Sequence, residues 1–118
     1  YIDEVIEHRF LGGYLAAQSR LPASDRLPVF PYATGDRPGF LGWFRRHRPD
    51  VILTLHAEIK DWLEQEGVRI PRDAGLLHLD RTRDLDGWAG IHQDNEHLGA
   101  TAVEMLLSQM YFNVLGAP

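Results

Sequence analysis

Apolar residues recur every three or four positions in four stretches of the chain, the spacing of one face of an α-helix. The first stretch covers residues 2–18, the second follows Asp36, the third covers residues 56–66, and the last follows Asp94. Asp36 and Asp94 are suitable N-caps, and Gly67 offers the left-handed position that often ends a helix. The pattern therefore predicts four amphipathic helices.

Two of these helices have further features. Pro38 lies in the first turn of the second helix, where its missing amide hydrogen costs nothing, and that helix is expected to end before Pro49. The last helix is expected to bury one stripe of side chains. The predicted stripe consists of Leu98, Ala102, Met105 and Leu106.

Short runs of β-branched and aliphatic residues between the helices predict strands. The predicted strands are residues 27–32, 51–55, 74–79 and 89–92. The run 51–55 consists of β-branched residues and leucines, which indicates a central strand buried on both faces. Alternating strands and helices imply right-handed crossovers and a mostly parallel sheet. The predicted fold is α/β, a three-layer doubly wound lobe covering residues 1–118, with at least one strand expected upstream because the order opens on a helix.

Composition narrows the possible functions. The 118 residues can bury one core, and a formal charge of −5 disfavours broad contact with nucleic acid. The basic cluster at residues 45–48 ends a predicted helix, where cations offset the helix dipole. No cysteine is present, which excludes disulfides, thiol nucleophiles and cysteine-bound zinc. No apolar run is long enough to span a membrane, so we expect a soluble protein with no membrane partner. The lack of cysteine is compatible with the reducing cytoplasm, where we expect the protein to be located.

Ligands of open α/β sheets collect beyond the carboxyl ends of the strands, where loops lead into helices. The polar residues expected there are Asp36, Arg37, Thr54, His56, Asp80 and Arg81. Their carboxylates and guanidinium groups can form bidentate hydrogen bonds with the vicinal hydroxyls of a ligand. Asp80 ends an apolar strand, so its carboxylate either binds a ligand or forms a cap satisfied by Thr82 and nearby amides. The residues alone leave these two readings equal.

Other chemistry receives less support. His78 and Asp80 are spaced to share a strand face, but no third metal ligand is fixed by spacing, so no metal site is predicted. The chain has no nucleophile elbow and no glycine-rich phosphate loop, so no catalytic residue and no cofactor are predicted. Trp88 falls in a predicted loop where it could stack on a sugar, although packing is its default role.

Several short motifs occur in one consistent order along nearly the whole chain. They are Arg9-Phe-Leu-Gly12, Arg48-Pro-Asp-Val-Ile-Leu53, Gly67-Val-Arg-Ile-Pro-Arg-Asp73, Leu77-His-Leu-Asp80, Gly90-Ile-His-Gln93 and Leu98-Gly-Ala-Thr-Ala-Val103. This series resembles the effector-binding core of the LacI/GalR family of bacterial transcription regulators, which has a periplasmic-binding-protein-like fold.

The resemblance implies a non-enzymatic sensor of a small polar effector, a sugar or related polyol, bound between two lobes. It assigns ligand contacts to Arg9 and Asp80, while His56 and Arg81 depart from the family's usual residues and imply a changed ligand. It also implies a homodimer in the full-length protein, with DNA bound only through an N-terminal domain outside this chain.

Two other functions remain open at the level of sequence. One is a lobe of a periplasmic sugar-binding protein, which shares the two-lobed architecture. The other is a small metal-assisted α/β hydrolase that uses His56, His78 and Asp80.

Overall fold

A computed structural model describes residues 8–31, 34–85 and 87–112. Within these residues the helices are α1 (Arg9–Gln18), a short 3-10 helix (Ala23–Asp25), α2 (Arg37–His47), α3 (Glu58–Gln65) and α4 (Asn95–Phe112). The strands are β1 (Val51–Thr54), β2 (Gly75–His78) and β3 (Ala89–Gly90). Each predicted helix corresponds to an observed one, although Ile2, Val5 and Ile6 of the first prediction lie outside the described residues.

The three strands form one sheet in the order β1–β2–β3. The amide of Gly75 donates to the carbonyl of Asp50 (2.8 Å), and that of Leu79 donates to Thr54 (2.9 Å), so residue numbers rise together along the pair, as in a parallel ladder. β3 also pairs parallel to β2, with Leu77 opposite Ala89. The prediction of an α/β protein with a parallel sheet is confirmed. The doubly wound, periplasmic-binding-protein-like arrangement stays a prediction.

The chain divides into two compact units. Unit 1 comprises residues 1–52 and 58–75, and unit 2 comprises residues 53–57 and 76–118. None of the helices in the described ranges is long and apolar enough to cross a membrane.

The core of unit 1 lies where α2 packs against α3. α2 begins as the sequence predicts: the side chain of Asp36 accepts a hydrogen bond from the amide of Gly39 (3.0 Å) and caps the helix. The helix ends at His47, and the next residue, Arg48, adopts a left-handed conformation before Pro49. Its buried face and that of α3 supply the core side chains Phe40, Leu41, Phe44, Ile59 and Leu63.

The prediction of a strand at residues 27–32 is wrong for the described part, since residues 27–31 form no strand. Pro28 and Pro31 lack amide hydrogens and cannot support a regular ladder. The segment is held by side chains instead. The hydroxyl of Tyr14 donates to the carbonyl of Leu27 (2.9 Å), and the indole of Trp43 donates to that of Pro28 (3.2 Å).

Two burial predictions are also wrong. β1 is buried on one face only, since Ile52 and Thr54 are buried whereas Val51 and Leu53 are 57% and 51% exposed. α4 has no buried residue, and the predicted stripe is exposed at Leu98, Ala102, Met105 and Leu106. Periodicity identifies an apolar face, but it does not establish that a neighbouring element covers that face.

The turn that follows α3 is fixed by one residue pair. Gly67 takes the predicted left-handed conformation (φ 79°) and ends the helix. Beyond it, the Asp73 carboxylate accepts hydrogen bonds from Nε (2.9 Å), Nη2 (3.0 Å) and the backbone amide (2.9 Å) of Arg69. Hydrogen bonding to the Arg69 side chain is the main cause that holds the pKa of Asp73 below its ordinary value of 3.8.

This pair gives a pH-dependent prediction. Because the folded-state pKa of Asp73 is lowered, its contribution is fully present above the unfolded pKa and is lost as the pH falls through the folded pKa. We expect wild-type protein to melt at a higher temperature than Asp73→Asn at about pH 7, and the difference to shrink as the pH falls below about 3.8. Thermal melts of both proteins across this range test it. A difference that is constant with pH would contradict the assignment.

Candidate functional site

The carboxyl ends of β1 and β2 lie side by side in unit 2. The hydrogen bond from the amide of Leu79 to the carbonyl of Thr54 (2.9 Å) joins them. Thr54 is buried, and its hydroxyl oxygen accepts a hydrogen bond from the amide of His56 (2.9 Å). This local turn follows directly after the strand, so α3 begins at Glu58 and not at His56 as predicted.

His78 is a supporting residue of this region. It is only 6% exposed, and its Nδ1 accepts a hydrogen bond from the amide of Asp80 (3.2 Å). The ring of Trp88 meets the imidazole at 87°, with ring centroids 5.5 Å apart. The Nδ1 lone pair is therefore engaged within the protein, and the imidazole orients both the Asp80 backbone and the Trp88 ring.

The metal-assisted hydrolase is not supported. Among the described residues, no group of three or more histidine, aspartate or glutamate side chains could hold a metal ion.

Asp80 retains a free carboxylate at the end of β2. The side chain is half-buried, and it makes no hydrogen bond or ion pair with the described part of the chain. Thr82, which the sequence suggests as its partner, donates its hydroxyl to Asp84 instead. Of the two readings that the sequence left equal, the geometry does not provide the Thr82 cap. Asp80 as a ligand contact stays a prediction.

Asp84 serves the loop that follows. Its hydrogen bond from the Thr82 hydroxyl is the main cause that holds the pKa of Asp84 below its ordinary value of 3.8, and its own backbone amide adds to this effect. The Asp84 carboxylate is therefore charged at neutral pH and engaged with a neighbouring side chain. Because the Asp84 carboxylate is already hydrogen-bonded to Thr82, Asp80 is the better candidate for a ligand contact.

The two ends of this loop are held close together by backbone hydrogen bonds. The amide of Ile91 donates to the carbonyl of His78 (3.0 Å), and the amide of Arg81 donates to that of Ile91 (2.8 Å). A Cβ at Gly90 would lie 2.6 Å from the carbonyl oxygen of His78 and 2.9 Å from Cβ of Arg81. Sequence reasoning missed this requirement, although a glycine inside a short strand often marks a close backbone approach.

The remaining predicted site residues lie in unit 1. Asp36 caps α2, and Arg37 forms an ion pair with Glu66 (3.5 Å). Arg9 opens α1 and is exposed. The structure thus places four of the seven predicted residues in unit 2, where β1 and β2 end. These four are Thr54, His56, Asp80 and Arg81.

Part of the chain is similar in sequence to glucan branching enzymes. No family model matches it, and no solved structure matches it. A 1,4-alpha-glucan branching enzyme GlgB of Mycobacterium ulcerans (strain Agy99) is 33% identical over 84 residues, which cover 64% of this chain and 12% of the enzyme. The GlgB of Leifsonia xyli subsp. xyli (strain CTCB07) is 34% identical over 86 residues, covering 66% and 12%. The chain spans about an eighth of the length of these relatives.

These relatives contradict the LacI/GalR prediction. Both are named as enzymes that act on a glucan, so the predictions of a transcription regulator and of a non-enzyme are wrong by this comparison, and the periplasmic-binding alternative gains no support. Several of the quoted motifs contain a helix stop, a Pro-x-Asp turn or a strand-end acid, and two others lie inside helices α1 and α4. Many α/β proteins need these features for local structural reasons, so their series indicates the fold class more strongly than the function.

Proposed function

We propose that this chain is a carbohydrate-binding part of a protein that acts on a 1,4-α-glucan. The proposed contact surface, called the strand-end site, consists of Asp80 and Trp88 with His78 behind them. The observation that carries the proposal is the half-buried Asp80 carboxylate, which has no partner among the described side chains. The relatives named for glucan branching support the choice of ligand.

The chemistry of the strand-end site suits a sugar. A carboxylate accepts two hydrogen bonds at once, which matches the vicinal hydroxyls of a glucose unit. An indole offers a large apolar face with a polar edge, and glucose units present apolar C–H faces that such a ring can cover. His78 holds both groups, since it accepts from the Asp80 amide and contacts the Trp88 ring.

We assign binding, and not bond cleavage, to this site. Retaining enzymes that act on glycosidic bonds place two carboxyl groups about 5–5.5 Å apart, one as acid and one as nucleophile. The second acid of this loop, Asp84, is hydrogen-bonded to Thr82 and stabilises the loop.

A cytoplasmic location and pairing with a second copy of the chain belong to the same proposal.

Titration with maltoheptaose tests the proposed function. We expect Asp80→Asn to weaken binding about tenfold to a hundredfold, because hydrogen bonds to a charged group contribute about 1.5–3 kcal/mol. Trp88→Ala is expected to weaken binding as well. Isothermal titration calorimetry of the intact protein measures both effects, and circular dichroism confirms that each variant is folded.

The matched control is Asp61→Asn, which removes an exposed carboxylate from α3 in unit 1. It is expected to bind maltoheptaose like the wild type. If the Asp80 and Trp88 variants bind as tightly as this control, the strand-end site does not bind glucan. A wild-type protein that binds a β-linked glucan equally well would contradict the choice of a 1,4-α-glucan.

A further inference from the structure

A hollow of about 570 Å³ opens on unit 1, beside the end of α2 and the turn that follows α3. Small-molecule sites in proteins commonly measure about 300–1,000 Å³, so its size suits a small ligand. Arg48 and Arg72 line it together with Glu66 and Asp73, and Phe44 contributes an apolar side. None of these residues belongs to the strand-end site. We call this feature the arginine hollow.

Both carboxylates of the arginine hollow are already neutralised by arginines. Glu66 forms ion pairs with Nη2 of Arg45 (2.5 Å) and Nη2 of Arg37 (3.5 Å). Asp73 accepts two hydrogen bonds from the guanidinium of Arg69 (2.9 and 3.0 Å). The two acids therefore have little capacity left to balance further positive charge.

Arg48 and Arg72 also line the arginine hollow, and neither is paired with Glu66 or Asp73. Neither side chain makes an ion pair or a hydrogen bond with residues 8–31, 34–85 or 87–112. Counting the lining residues and their direct partners, five arginines face two carboxylates, so three positive charges are uncompensated locally. This concentration of positive charge occurs in a chain whose net charge is −5.

The backbone fixes where one of these cations lies. Arg48 ends α2 in a left-handed conformation (φ 46°), with its amide bonded to the carbonyl of Phe44 (2.8 Å), and it is followed by the buried Pro49. Its Cα is thus held by a helix end and by a proline. Less backbone ordering is needed when a ligand binds at such a position than at a mobile one.

We propose that the arginine hollow binds the dianion of a phosphate monoester. A guanidinium donates two parallel hydrogen bonds to a phosphoryl group, and two guanidinium groups match its double negative charge. A neutral glucan would leave both cations uncompensated, so this ligand differs from that of the strand-end site. The hollow is larger than a phosphoryl group, which leaves room for the organic part of an ester. The same chemistry would also accept free phosphate.

Calorimetric titration of the intact protein tests this site with three probes: inorganic phosphate, glucose 1-phosphate and glucose. We expect saturable binding of a phosphorylated probe and none of glucose. Tighter binding of glucose 1-phosphate than of phosphate identifies an ester as the ligand, whereas equal binding identifies free phosphate. Either result supports phosphoryl recognition, and binding of glucose alone would overturn it.

Paired variants locate the binding. The double variant Arg48→Gln/Arg72→Gln is expected to bind the phosphorylated probe at least about tenfold more weakly. Arg46→Gln removes an exposed arginine from the same last turn of α2, outside the hollow, and is expected to bind like the wild type. Equal affinity in the double variant and the wild type would overturn the proposal. Asp80→Asn is expected to leave phosphate binding unchanged. The proposal for the arginine hollow can therefore be tested independently of the proposal for the strand-end site.

Discussion

Replacing Phe40 by alanine is expected to lower the free energy of unfolding by about 3–5 kcal/mol. Phe40 is 1% exposed, and its ring centroid lies 5.7 Å from that of Phe30, 5.9 Å from Trp62, 6.0 Å from Trp43 and 6.4 Å from Phe44. Truncation removes the buried ring from all four partners and leaves a cavity that rigid aromatic neighbours fill poorly. The largest loss of stability is therefore expected at the centre of this aromatic cluster.

Urea unfolding followed by circular dichroism measures this loss. Tryptophan fluorescence adds a local probe, since Trp43 and Trp62 both contact the Phe40 ring. The matched control is Phe112→Ala on α4, where the side chain is 77% exposed and the expected change is within about 0.5 kcal/mol. Similar losses in both variants would mean that the aromatic cluster is not the core of unit 1.

α2 shows which features could be predicted from the sequence. Asp36 caps its first turn, Pro38 follows within that turn, and Pro49 lies just beyond its end. Each of these effects acts within a few residues, so the sequence contains all the information that places the helix. The left-handed stop at Gly67 is local in the same sense.

The burial of α4 and β1 shows what could not be predicted. An apolar residue indicates a preference to be covered, whereas coverage depends on an element far away in the sequence. Leu106 is 57% exposed and Val51 is 57% exposed, although both fit a core pattern. The strand predicted at residues 27–32 is wrong in its described part for a local reason, since Pro28 and Pro31 lack amide hydrogens. Its Phe30 side chain packs on Phe40 and Trp43 instead.

In the candidate site, too, local features could be predicted from the sequence and long-range contacts could not. The position of Asp80 at a strand end follows from the α/β pattern, and the structure confirms that β2 ends just before it. The contacts around it are not local. Trp88 reaches His78 across ten residues, and Thr82 bonds Asp84 rather than Asp80. Sequence reasoning therefore found the carboxylate but not the groups that position it.

Gly90 gives the second prediction, because its environment tolerates no side chain. Gly90→Ala is expected to lower the free energy of unfolding by about 1–3 kcal/mol, the usual cost of forcing extra atoms into a filled space. The added Cβ would meet the carbonyl oxygen of His78 at 2.6 Å and Cβ of Arg81 at 2.9 Å. The carbonyl oxygen belongs to the backbone of β2 and cannot rotate away, so the loop or the strand must shift.

That shift connects stability to the proposed glucan binding. His78 accepts a hydrogen bond from the Asp80 amide and contacts Trp88, so moving its backbone displaces both groups of the proposed strand-end site. We therefore expect maltoheptaose affinity to fall together with stability. The control is Gly99→Ala in α4, where an added Cβ meets nothing within 4 Å and alanine is expected to stabilise by up to about 1 kcal/mol. Urea unfolding of both variants measures the expected decrease in stability for Gly90→Ala and the expected increase for Gly99→Ala, and calorimetry measures their maltoheptaose affinity. Unchanged glucan affinity in a destabilised Gly90→Ala protein would separate the packing of Gly90 from the strand-end site.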